Sequence, residues 1–167
     1  MTIKTKTSLL YFTTLTGLVA WIGGIFLAPW LKYRSQDLSG FLYALFSPTC
    51  HQIPSRCFSF YGYPLAVCAR CLGIYFGFLL GTLILPFSTR FSTLDLPRAK
   101  TFILISLPIA VDAAGNVLQI WSSPNWIRLL TGILWGILLP FYLLTGLMEL
   151  LLRKKGKSYP PREINRN

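Results

Sequence analysis

Charge is scarce in this sequence. Only 13% of its 167 residues are Asp, Glu, Lys or Arg, and 53% are hydrophobic. Soluble domains carry about 25% charged residues. With a mean hydropathy of +0.55, the composition excludes an ordinary soluble domain, and the length allows one domain. Acidic residues are the scarcest: 5 Asp and Glu stand against 16 Lys and Arg, a formal net charge of +11. In a soluble chain that excess would point to nucleic acid. Here the basic residues cluster beside apolar runs, as orientation signals and headgroup contacts do, so the implied partner is a lipid bilayer and not a nucleic acid. Histidine occurs once, at position 51, and no C-x-x-C-H run is present. Both argue against a haem protein. No internal repeat is evident.

What is abundant is long apolar sequence. Four runs reach the roughly 20 residues a spanning helix needs: about 8–31, 69–87, 101–121 and 126–152. The chain therefore reads as all-α, an integral membrane four-helix bundle over 1–152, with a basic cytoplasmic tail over 153–167. The first run is longer than the ~7–15 residue core of a signal peptide and lacks a small-x-small cleavage site, so it is expected to remain as a helix. The third and fourth are joined by Ser122-Ser123-Pro124-Asn125, a turn, and form an antiparallel hairpin. With the N-terminus inside, eleven Lys and Arg fall on the inner side and five (Lys32, Arg34, Arg56, Arg70 and Arg128) on the outer side. That bias predicts both termini in the cytoplasm of a prokaryotic or equivalent membrane, with the loop after the first helix extracytoplasmic.

Within that loop Leu38, Phe41, Leu42, Leu45 and Phe46 recur at helical spacing, which predicts a short amphipathic helix on the membrane surface. Ser35 or Asp37 is placed to cap it, and Pro48 to stop it. The aromatics between Cys57 and Cys68 suit the headgroup zone. Gly73, Gly77 and Gly81 form two overlapping G-x-x-x-G steps, and Gly132 and Gly136 form another. Small residues at that spacing let two helices approach closely, so these faces are expected to meet.

The third run holds an unusual group. Asp112, Asn116 and Gln119 lie at i, i+4 and i+7, one polar stripe on a helix. A carboxylate in the bilayer costs about 2.5–3.5 kcal/mol on insertion scales and so needs an interior position and a partner. Arg70 and Arg128 are the cations at hand, expected to reach Asn116 or Gln119 more easily than Asp112. The stripe reads as an interhelical clamp, or as a proton route or polar floor beneath the cysteines.

All four cysteines and His51 fall between Cys50 and Cys71. Three chemistries fit that density. One is a metal site, most simply Zn²⁺ in a Cys3His shell, from Cys68, Cys71, His51 and either Cys50 or Cys57. The second is thiol–disulfide exchange at Cys68-x-x-Cys71. A helix N-terminus and Arg70 would favour the thiolate there, in a layout resembling the quinone-coupled disulfide-generating membrane enzymes, although those do not place both pairs in the first outer loop. Quinone enters only under that reading. The third is structural: disulfides that staple the loop of an accessory subunit in a larger membrane complex. Arg56, Arg70 and Arg128 are candidates for an anionic ligand or lipid headgroup.

At these residues the chain resembles a family of small prokaryotic membrane proteins defined as a domain of unknown function. Its pattern is C-H-Q, then R-S-F, then C-x-R-C-x-G-x-Y-x-G, then an Asp in a polar third helix and N-x-x-R-x-x-x-G opening the last. The matches are Cys50, His51 and Gln52; Arg56 and Phe58; Cys68, Arg70, Cys71, Gly73, Tyr75 and Gly77; Asp112; and Asn125, Arg128 and Gly132. They cover roughly residues 40–137. The chain departs at Cys57, where the family pattern has Ser. The resemblance thus implies Cys50, His51, Cys68 and Cys71 as the functional set, and it implies no activity.

Overall fold

The computed structural model describes residues 3–35, 37–88 and 99–153. The expected basic tail and most of the loop between the second and third spans lie outside the described residues. The chain runs α1 (Ile3–Tyr33), α2 (Leu38–Phe46), a 3-10 turn (Pro54–Arg56), β1 (Ser59–Phe60), β2 (Tyr63–Pro64), α3 (Ala69–Ser88), α4 (Ala99–Val117) and α5 (Asn125–Arg153). Four helices, α1, α3, α4 and α5, are long and apolar enough to cross a membrane. The all-α expectation needs one amendment, the β1–β2 hairpin of two residues per strand. Tyr61 and Gly62 form its loop with φ of 52° and 82°. A two-residue hairpin loop with both φ positive matches the twist of the flanking strands, and glycine takes that conformation freely.

α3 and α5 are the central pair. Their spans bury 39% and 33% of their residues, against 11% for α1 and 17% for α4. The glycines explain the difference. A Cβ placed on Gly73, Gly77 or Gly81 would strike the carbonyl oxygens of Leu129, Ile133 and Ile137 in turn, and one on Gly132 or Gly136 would strike those of Arg70 and Ile74. The two backbones touch along the whole seam. In lipid, where apolar side chains gain little by leaving hydrocarbon, such close contact is what holds helices together. The expectation from glycine spacing holds residue by residue.

α1 packs mainly on α3 and α2, and α4 on α5. Phe102 of α4 meets Tyr142 edge to face at 5.1 Å, and Trp135 Nε1 donates to Ser106 Oγ at 3.0 Å. α2 forms where expected, but its apolar positions divide. Phe46 is buried and packs on Trp21 at 4.7 Å, whereas Leu38, Phe41 and Leu45 are exposed. Asp37 stands at its N-cap without a side-chain hydrogen bond. The hairpin aromatics pack on the end of α1, Phe60 against Phe26 at 5.8 Å and Tyr61 stacked on Tyr33 at 5.0 Å.

α4 ends earlier than its apolar run. The helix stops at Val117, not near residue 121, because the chain closes it with a Schellman motif. Gln119 takes φ +57°, and the Ile120 N–H reaches back to the Gly115 carbonyl at 3.0 Å. This is the six-to-one bond that satisfies a helix end. Gly115 makes it possible, since the Trp121 indole lies where a Cβ would stand. Gln119 is therefore not on the helical stripe with Asp112 and Asn116.

Candidate functional site

The soluble-style core sits at one end of the helices. Ile25, Ala28, Phe46, Cys50, Leu65, Ala66, Val67 and Leu72 form it. Leu65, Ala66 and Val67 carry the chain from β2 straight into Cys68, which stands at the N-cap of α3. Cys71 follows at the third helical position, so the first turn of α3 brings the two sulfurs to 3.5 Å. Cys50 arrives from the other side. Its N–H donates to the Phe46 carbonyl at the end of α2, and its own Sγ accepts the Cys68 backbone N–H at 3.1 Å. An N–H aimed at sulfur is a typical support of a ligating thiolate. The sulfurs of Cys50, Cys68 and Cys71 all lie within 4.8 Å of one another.

That spacing suits a common ion. With Zn–S of about 2.3 Å, a tetrahedral shell sets its sulfurs about 3.8 Å apart. Hydrogen bonding with the Cys50 and then the Cys71 thiol, joined by the backbone N–H groups of Cys71 and Arg70, outweighs burial and holds the Cys68 thiol far below the ordinary range.

The structure does not bring His51 or Cys57 into this cluster. His51 is exposed. It lies between Cys50 and Gln52, and Gln52 takes the left-handed φ of +50°. Gln52 is held there by its own amide, which donates to the Tyr43 carbonyl at 2.7 Å, while the Tyr43 hydroxyl donates to the Pro64 carbonyl at 2.5 Å. Cys57 is only 5% exposed. Its thiol donates to the Ile53 carbonyl at 3.2 Å, and burial, with the neighbouring Cys68 and Cys50 sulfurs, pushes it up to about 12. A thiol that stays protonated is neither a ligand nor a nucleophile. All four cysteines are free, with no disulfide among them.

Beside the sulfurs lies a polar network. Arg70, within the Cys-x-x-Cys, pairs with Asp112 of α4. The expectation that Arg70 would reach Asn116 or Gln119 instead is corrected: the early turn after α4 brings Ser123 and Arg128 to Asn116 and leaves Asp112 to Arg70. The Ser123 hydroxyl donates to Asp112, Asn116 Nδ2 donates to Ser123 Oγ at 2.8 Å, and the Ser123 N–H donates to Asn116 Oδ1 at 3.2 Å. Arg128 donates to Asn116 Oδ1 at 2.7 Å and to Asn125 Oδ1 at 3.2 Å. Asn125 in turn donates to the Cys57 carbonyl at 3.1 Å and ties α5 to the cysteine loop. Gln119 and Arg56 do not join these bonds; they line an adjoining cleft of about 600 Å³. Sequence reasoning missed Ser123. A serine in a turn carries no signal alone, and only the placement of Asp112 and Asn116 beside that turn could have flagged it.

The arrangement defines a class: a membrane protein whose central helix pair carries a partly buried thiol cluster at one end. The particular family follows from comparison. The model of the family described as "Predicted membrane protein (DUF2085)" matches residues 50–142, and the chain belongs to that family. It is 35% identical over 150 residues to an uncharacterized protein of Methanocaldococcus jannaschii, covering 86% of this chain and 96% of the relative. It is 33% identical over 91 residues to one of Methanothermobacter thermautotrophicus, covering 53% of this chain and 78% of the relative. No solved structure matches.

Proposed function

We propose that this protein binds a metal ion, most simply Zn²⁺, through Cys50, Cys68 and Cys71, on the extracytoplasmic side of a cytoplasmic membrane. The observation that carries the reading is the mutual approach of those three sulfurs to within 4.8 Å. Two come from one rigid helical turn and the third is oriented by a backbone N–H, so little reordering is needed to close a shell. The fourth position is open. His51 fills it after a rotation about the Cys50–His51 bonds, or water does. The excess of Lys and Arg on the opposite side supports the orientation.

Elemental analysis of the full-length protein, purified in mild detergent without chelator, tests this. About one zinc per chain is expected, retained in Cys57→Ser and lost in Cys68→Ser. Protein that purifies without zinc, its Cys50, Cys68 and Cys71 free to react with thiol reagents, would refute it. A second reading is favoured by the 3.5 Å separation of Cys68 and Cys71 alone: a thiol–disulfide oxidoreductase, with quinone as the electron acceptor. Under it, in Cys71→Ser the Cys68 thiolate attacks a partner's disulfide, releases one partner sulfur as thiolate and stays joined to the other, an adduct that metal binding does not predict.

A further inference from the structure

The cleft beside the cysteine cluster has an electrostatic peculiarity that metal binding does not use. It is lined by residues of the 3-10 turn and of the α4–α5 connection, Arg56 and Arg128 among them. Arg128 is 6% exposed. A charge removed from water in this way is ordinarily matched by an opposite one. Yet its guanidinium is met by two neutral amide oxygens, those of Asn116 and Asn125. The single ion pair among the described residues is Arg70–Asp112. Arg56 and Arg70 both lie near enough to Arg128 to act on it as repelling charges. Three guanidinium groups thus face one carboxylate and the Cys68 thiolate, which also attract Arg128, and the local excess is 3 − 2 = 1 positive charge.

We infer that the cleft is a binding site for a phosphate-type oxyanion, clamped between Arg56 and Arg128. A phosphate-type oxyanion carries at least one negative charge near neutral pH, which offsets the excess. The planar fork of arginine fits tetrahedral oxyanions with paired hydrogen bonds. Gln119, Ser122 and Asn125 line the rest of the space with neutral polar groups. α5 begins at Asn125, so the positive end of a long helix adds to the same field. At about 600 Å³ the cleft has room for more than the bare ion. Free phosphate and the phosphate of a lipid headgroup share this chemistry.

The test uses full-length protein in a non-ionic detergent. Inorganic phosphate is titrated and binding read by calorimetry. In parallel, phosphatidic acid or diacylglycerol is added and retained lipid is read by native mass spectrometry. Arg56→Gln is the informative variant, because Arg56 is exposed and its side chain joins none of the hydrogen bonds or ion pairs described above. Arg34→Gln removes the same charge from the exposed end of α1. Saturable phosphate binding that falls about tenfold or more in Arg56→Gln, and stays within about twofold in Arg34→Gln, supports a free-anion site. Retention of phosphatidic acid but not diacylglycerol, with the same dependence on Arg56, supports a headgroup site. Binding of neither, or equal losses in the two variants, overturns the inference.

Discussion

Replacing Gly77 by alanine puts the seam between α3 and α5 to its sharpest test. A methyl there would sit 2.9 Å from the Cα of Gly136 and closer still to the Ile133 carbonyl oxygen. Both are backbone atoms, so no side chain can swing aside, and the helices must part by roughly 1 Å. A gap of 0.5–1 Å forfeits about a quarter to a half of each dispersion contact it opens. Overpacking of this kind costs about 1–3 kcal/mol. The right control is Gly17→Ala. Gly17 also lies inside a spanning helix, but a Cβ on it would meet nothing within 4 Å. Both changes gain the same helix propensity, up to about 1 kcal/mol, so their difference isolates the steric term. Unfolding midpoints in matched detergent should place Gly77→Ala below wild type and Gly17→Ala at or above it. Gly77→Leu should be worse than Gly77→Ala. Equal midpoints for Gly77→Ala and Gly17→Ala would refute the packing argument.

Asp112→Asn strips Arg70 of its carboxylate and should cost about 3 kcal/mol, with part recovered when Arg70→Gln is added, as read by a double-mutant cycle. Cys57 titrates near 9.0 when unfolded and at about 12 when folded. The folded state therefore holds the proton longer, and stability should be full below about pH 9 and fall as pH rises toward 12. Cys57→Ser should flatten that slope in pH-dependent unfolding; an unchanged slope would mean that burial of Cys57 is not its source.

Much of the fold was legible because membrane helices announce themselves by length and apolarity, and because the glycine registers on the second and fourth spans encode a contact directly. The site was less so. Sequence density drew five residues together between Cys50 and Cys71, but only tertiary packing separates them. Phe46 and the Leu65-Ala66-Val67 run seat Cys50 and Cys68 side by side, while Gln52 turns the chain and leaves His51 outside. Gln119 looked like a third rung of a helical stripe. Periodicity could not show that Trp121 folds back over Gly115 and that the helix ends at Val117, two residues before Gln119. The cost of that early end is a loop, and the loop is what supplies Ser123.

Arg70 shows why these parts are not independent. Its backbone carbonyl is the surface against which Gly132 packs, its neighbours in sequence include Cys68 and Cys71, and its side chain holds Asp112. One residue thus fixes the first turn of α3 against α5 and α4 at once. Arg128 stands one turn before Gly132 on the facing helix and carries the other end of the polar network to Asn116. The placement of the first turn of α3, which carries Cys68 and Cys71, and the position of the buried guanidinium therefore both depend on how closely the two backbones approach. A bulky residue at position 132 should disturb the thiol cluster and the arginine cleft together, whereas one at position 81, at the far end of the seam, should lower stability and leave both intact.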